Sequence, residues 1–104
     1  MLIQVNTDNH ITGRAELTAR VEATVASELT RFAERITRVE LHLSDENGGK
    51  FGLDDKRCVM EARLEGRQPV AVTHRAPTLD EAVSGAADKM TSALDSALGR
   101  LRGY

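Results

Sequence analysis

The chain has one cysteine, Cys58, no tryptophan, and three aromatic residues, Phe32, Phe51 and Tyr104. A single thiol excludes an internal disulfide and a cysteine-rich zinc site. No histidine stands near Cys58 in sequence to serve as a base, so it reads as a small buried apolar residue. So few rings leave no platform for stacking unpaired bases, which argues against recognition in the manner of an RRM or an OB-fold. Excess positive charge is also lacking: Lys and Arg number 14 against 16 Asp and Glu, a formal net charge of −2. Phosphate contacts from Lys and Arg dominate nucleic-acid affinity, so RNA binding by this chain requires an uneven distribution of charge. No run approaches the roughly 20 apolar residues of a membrane helix. The opening Met1-Leu2-Ile3-Gln4 has neither the basic region nor the apolar stretch of a signal peptide. The expectation is a cytoplasmic protein forming one domain over residues 1–104.

What is present is a patterned chain, 40% hydrophobic and 29% charged, which is unlike a disordered segment. Residues 2–7 alternate, with Ile3 and Val5 on one side, as in a half-buried strand. From Arg14 the period changes, and Leu17, Val21, Val25, Leu29 and Phe32 recur at helical spacing. A first helix is expected over 14–34, capped by Thr12 or Gly13. Val39, Leu41 and Leu43 alternate with Arg38, Glu40 and His42 in a second strand. Residues 44–56 are polar and contain Gly48, Gly49 and Gly52, which predicts a long exposed hairpin loop. Cys58, Met60, Ala62 and Leu64 form one side of a third strand. A turn at Gly66-Arg67-Gln68 leads to a fourth, with Val70 and Val72, ending near Ala76. Thr78-Leu79-Asp80-Glu81 is a capping box, with Glu81 expected to reach back to Thr78. The stripe Leu79, Val83, Ala86, Met90, Leu94, Ala97 and Leu101 then forms a second helix that Gly103 ends.

The order β-α-β-β-β-α implies a parallel pair across the first helix and antiparallel hairpins after it. With one apolar face per strand, both helices pack on the same side. The expected fold is an α/β (α+β) two-layer sandwich with a four-stranded mixed sheet, resembling a double-stranded-RNA-binding domain with an extra leading strand. The other sheet face carries Arg38, Glu40, His42, Arg57, Glu61, Arg63 and Glu65, read as a cross-strand charge ladder.

Particular residues carry a further resemblance. The opening Ile3-Gln4-Val5-Asn6, the stretch from Phe32-Ala33-Glu34-Arg35 through Leu41-His42-Leu43, and Leu79-Asp80-Glu81-Ala82-Val83 followed by Asp88-Lys89-Met90 resemble the ribosome hibernation promoting factor and ribosome-associated inhibitor A family. The resemblance covers essentially the whole chain and lies in order and spacing more than in any one piece. It implies binding to the small ribosomal subunit in the mRNA and tRNA channel, inhibiting translation or stabilising idle ribosomes under stress. It also implies a short form without the second, ribosome-pairing domain of longer members. Lys89 matches the family's basic second helix, whereas Ser92, Asp95 and Ser96 depart from it, and basic charge returns at Arg100 and Arg102.

The candidate rRNA-binding residues are Lys89, Arg100, Arg102, Arg20, Arg31, Arg35 and Arg75. Arg20, Arg31 and Arg35 fall within about 60° of one another if a single helix carries them, and so form a potential row against phosphates. Ion pairs with Glu16, Glu28 and Glu34 are the competing use of the same residues. Residues 57–75 hold Arg57, Arg63, Arg67 and Arg75 against Glu61 and Glu65, a local basic excess. His10, His42 and His74 show no metal-ligand spacing. Asp45-Glu46 and Asp54-Asp55 read as solubilising loop charges, and no GK[ST] follows Gly48-Gly49. No catalytic constellation, metal or cofactor is expected. The partner expected is ribosomal RNA phosphate, with no membrane and no small-molecule substrate. The alternative is the same fold with weakened RNA contact, acting as a regulatory protein-binding module or homodimer.

Overall fold

A computed structural model describes residues 1–9, 11–46 and 55–101. The elements are β1 (Leu2–Thr7), α1 (Arg14–Glu28), a 3₁₀ turn (Thr30–Phe32), β2 (Ile36–Asp45), β3 (Lys56–Leu64), β4 (Val70–Ala76) and α2 (Leu79–Leu101). The strands form one sheet in the order β1-β2-β3-β4. β1 and β2 pair in parallel across α1, while β2–β3 and β3–β4 are antiparallel. This is the mixed-sheet α+β sandwich that the alternating and helical periods predict.

The core follows from those periods. Val39, Leu41 and Leu43 of β2 and Cys58, Met60, Ala62 and Leu64 of β3 are buried on one sheet face. Leu17, Val21 and Val25 of α1 and Ala82, Val83, Ala86, Ala87, Met90 and Leu94 of α2 meet them. α2 packs over β3 and β4, and α1 packs over β1 and against α2. Small residues on α2 bring it close to the sheet: a Cβ at Gly85 would fall inside the van der Waals envelope of the His74 ring. His74 therefore belongs to the helix side of β4, beneath α2.

Three element boundaries differ from expectation. The first helix ends at Glu28 instead of 34, because Thr30 interrupts it. Its Oγ1 donates toward the carbonyls of Ala26 at 2.6 Å and Ser27 at 3.0 Å, competing with backbone donors for the last turn. The chain tightens, with the Phe32 N–H donating to the Leu29 carbonyl at 3.0 Å, and turns into β2. At the helix start, Gly13 is the cap residue, with φ +64.

The hairpin after β2 is longer than its polar composition suggests. Ser44 and Asp45 continue the ladder, and Asp45 pairs with Lys56. Lys56 Nζ lies 3.4 Å from Asp45 Oδ1 and 2.9 Å from Asp55 Oδ1, and both carboxylates are almost fully buried. Shared charge at the hairpin base thus keeps polar residues in the strand. Gly48, Gly49, Phe51 and Asp54 lie outside the described residues, as do His10, Arg102, Gly103 and Tyr104. The capping box is half formed. The Glu81 N–H donates to Thr78 Oγ1 at 3.1 Å, but the Glu81 carboxylate makes no return bond among the described residues.

Candidate nucleic-acid interface

The 3₁₀ turn, the β3–β4 turn and the C-terminal half of α2 meet at one end of the molecule. Arg31 leaves the 3₁₀ turn with its guanidinium carbon 4.4 Å from the Phe32 ring centroid. It also forms a bidentate pair with Asp95 of α2, both N–O distances being 2.8 Å. The hydrogen bond raises the Arg31 pKa and lowers that of Asp95, against a smaller opposing effect of desolvation. Both side chains are more than half exposed, so the pair is screened and adds little stability.

Arg35 follows on the same rim and has no acidic partner among the described residues. Its carbonyl accepts the Glu65 N–H at 3.3 Å, which ties this segment to the β3–β4 turn. Gly66, with φ +70, allows that turn. The turn presents Arg67, whose Nη1 donates to the Ala97 carbonyl of α2 at 3.3 Å. Arg31 and Arg35 line a depression of about 480 Å³. Arg35 and Arg67 line an adjoining one of about 360 Å³, and Leu98 floors both. Arg100 belongs to the last turn of α2 at this same end.

The structure therefore redistributes the candidate residues. Arg31 and Arg35 converge, but not as a row on one helix, since α1 stops before either of them. Arg20 lies away from them, 3.5 Å from Asp80 at the start of α2. The Arg20–Asp80 and Arg31–Asp95 pairs together show that the two helices run in the same direction. The glutamates expected to compete on the first helix are not the partners used. Lys89 stands beside β4, where its Nζ donates to the Thr73 carbonyl at 2.8 Å. That bond covers part of the sheet's open edge. Arg75 lies on the helix-free face and contacts Glu46 at 2.8 Å. Arg67 is the residue that the candidate set lacks. Its sequence neighbourhood announces a turn, and only tertiary packing reveals that the turn abuts α2.

The cross-strand ladder expected on the helix-free face runs the other way. Across the strands like charges stand opposite: Arg38 faces Arg63, Glu40 faces Glu61, and Arg57 faces Arg75. The ion pairs run along the strands instead. Arg38 Nε is 3.0 Å from Glu40 and Arg63 Nε is 3.2 Å from Glu61, the former without hydrogen-bond alignment. Arg38 also hydrogen-bonds Gln4 of β1.

Burial pushes the Cys58 thiol up to about 12, which keeps it protonated and unreactive. Among the described residues no three His, Cys, Asp or Glu side chains converge as metal ligands, and no helix is long and apolar enough to cross a membrane. Glu34 and Asp95 line the first depression and Glu65 the second, so the three arginines here are matched by three acids. Arg35 and Arg67, which have no acidic partner among the described residues, are the groups left to contact anions.

A family model described as sigma 54 modulation protein / S30EA ribosomal protein matches residues 4–102. The chain belongs to this family. Membership bears out the resemblance to the hibernation promoting factors and makes the chain a ribosome-associated protein. Two solved structures share the fold. The N-terminal domain of Protein Y from Thermus thermophilus is 20% identical with a TM-score of 0.71, over 92% of this chain and 98% of that one. A ribosomal subunit interface protein from Coxiella burnetii is 13% identical with a TM-score of 0.72, over 95% and 99%. No curated protein matches significantly.

Proposed function

We propose that this S30EA-family protein binds ribosomal RNA of the small subunit in the mRNA and tRNA channel, as a non-catalytic cytoplasmic factor that stops translation or protects idle ribosomes. The observation that supports this most directly is the gathering of Arg31, Arg35 and Arg67 at the end of the molecule where α2 carries Arg100. The overall charge is −2 and Glu34, Asp95 and Glu65 line the same depressions, so RNA contact falls to Arg35 and Arg67, which no acid occupies among the described residues. Recognition then proceeds by shape and phosphate, in keeping with the burial of Phe32, the one Phe, Tyr or Trp side chain among the described residues.

Co-sedimentation with purified small subunits over a salt series tests the reading. Saturable binding near one copy per subunit that weakens with salt is expected, and Arg35→Glu combined with Arg67→Glu should abolish it while the domain still melts cooperatively. Salt-insensitive binding, or none at low salt, overturns it. A second reading has its own support: Arg20, Arg31, Arg38, Arg63 and Arg75 already contact acids within the chain. Cations spent internally suit a regulatory protein-binding module or a homodimer, whose association would respond little to salt.

A further inference from the structure

The helix-free face of the sheet has a charge arrangement that the fold alone does not favour. Like charges directly opposite one another on neighbouring strands are destabilising, and this face has three such pairs. Two are relieved locally, because the Arg38/Arg63 and Glu40/Glu61 pairs neutralise one another along their strands. The third is not. Arg75 has Glu46, but Arg57 has no acidic partner among the described residues, and its Nε is buried without a hydrogen-bond partner. Among the described residues, Arg57 is thus the half-buried guanidinium on this face whose cross-strand neighbour is another arginine and whose own charge no acid offsets.

Arg57 also borders a depression of about 290 Å³ that includes Asn6, His42 and Ser44. Ser44 is its direct neighbour on β2 and Arg75 its direct neighbour on β4. Arg57, Ser44 and His42 line the depression and Arg75 stands next to Arg57 on β4, while the Asn6 amide is already donating to the Leu41 carbonyl at 3.2 Å. The Asp8 carboxylate at the rim is occupied, accepting the Asp45 N–H at 3.0 Å. Of the four arginines on this face, Arg38 pairs with Glu40, Arg63 with Glu61 and Arg75 with Glu46, which leaves Arg57 as the cation without an acid among the described residues. Charge complementarity therefore points to an anion.

We propose that Arg57 and Arg75, with Ser44 and His42 beside them, form a second phosphate site that takes the backbone of an RNA segment distinct from the one met by the Arg35–Arg67 end. The inference rests on the ribosomal reading above and deepens it: RNA holds the protein on two faces, not one. An incoming phosphate satisfies the Arg57 guanidinium and removes the repulsion with Arg75.

The test uses the full chain and small subunits in a salt series. Arg57→Gln with Arg75→Gln should weaken binding by about tenfold per lost contact and lower the salt slope by about two. The variant's melting temperature should hold or rise, because a repulsive pair has been removed, whereas a merely structural role would lower it. A hydroxyl-radical source tethered at Thr73→Cys, on this face at its β4 edge, should cleave ribosomal RNA. If the parent chain binds but the double variant keeps its affinity and slope, or the Thr73 probe cuts nothing, the second site is wrong and the ribosomal reading stands. If the parent chain does not bind at all, both fall. Self-association that Arg57→Gln abolishes would give the face to a second copy of the chain and overturn its assignment to RNA.

Discussion

At the scale of single residues, one close approach shapes how α2 sits on the sheet. Gly85 is usually a poor helix residue, worth about 1 kcal/mol less than alanine in an exposed helix. Here the His74 ring occupies the space where a Cβ would stand. Gly85→Ala is therefore expected to destabilise by about 1–3 kcal/mol despite the better helix propensity. Thermal melting should show a fall of roughly 4–8 °C per kcal/mol for a domain of this size, and an unchanged or raised midpoint would mean that the ring moves aside freely. In the sequence His74 shows only that it lacks metal-ligand spacing with the other histidines. The alternation of β4 places it beneath a helix, and nothing local names the glycine it meets. Cys58 was fully legible, because a lone thiol in an alternating apolar strand has few other places to go.

At the scale of elements, periodicity revealed every strand and helix, while their ends depended on side-chain chemistry that periodicity does not report. Leu29 and Phe32 keep the helical spacing of α1 and are both buried, yet the Thr30 hydroxyl ends the α-helix before them. The hairpin of β2 and β3 erred in the opposite direction, since Asp45 and Lys56 look like loop residues and are strand residues. The Asp55 hydrogen bond, first, and then Asp45 raise the Lys56 pKa. A raised lysine contributes stability in full below its unfolded value, near 10.5, and loses it as pH climbs through the folded value. Lys56→Met should lower the melting temperature at neutral pH by leaving Asp45 and Asp55 without their shared ammonium. The deficit should narrow in strong alkali, where the parent loses the same charge. A deficit that does not vary with pH would mean that the lysine stem, not its charge, matters.

For the whole molecule, the question is where a chain of net charge −2 keeps arginines that no acid occupies. The basic end is built from three separate segments, and this is why the sequence showed only part of it. Arg31 and Arg35 lie close in the chain and were visible, whereas Arg67 arrives through a hairpin turn. Strand register, which sets arginine against arginine on the helix-free face, is a property of pairing and not of either strand read alone. The Arg31–Asp95 clamp gives a direct test of this arrangement. Asp95→Asn removes the acid that holds Arg31 without changing side-chain size. Binding to small subunits should tighten several-fold, with a salt slope steeper by about one. The exposed pair adds little to stability, so melting should barely change. Weaker binding would mean that Asp95 orients Arg31 toward RNA instead of withholding it.

The topology of the sheet has one further consequence, in the order of assembly. β1 has a single neighbour, β2, and reaches it in parallel only after α1 is in place: Leu2 pairs with Arg38, across the whole crossover. β2, β3 and β4 join through antiparallel hairpins whose partners lie closer along the chain. Closing the longer loop costs more entropy before any contact compensates it. β1, which precedes the other strands in the chain, is thus expected to dock last. A nascent chain carries its leading strand unpaired until β2 has emerged, and in the folded protein that strand is the first to open. Amide exchange should accordingly be faster over 2–7 than over the central strands, through an opening that leaves the rest of the sheet closed.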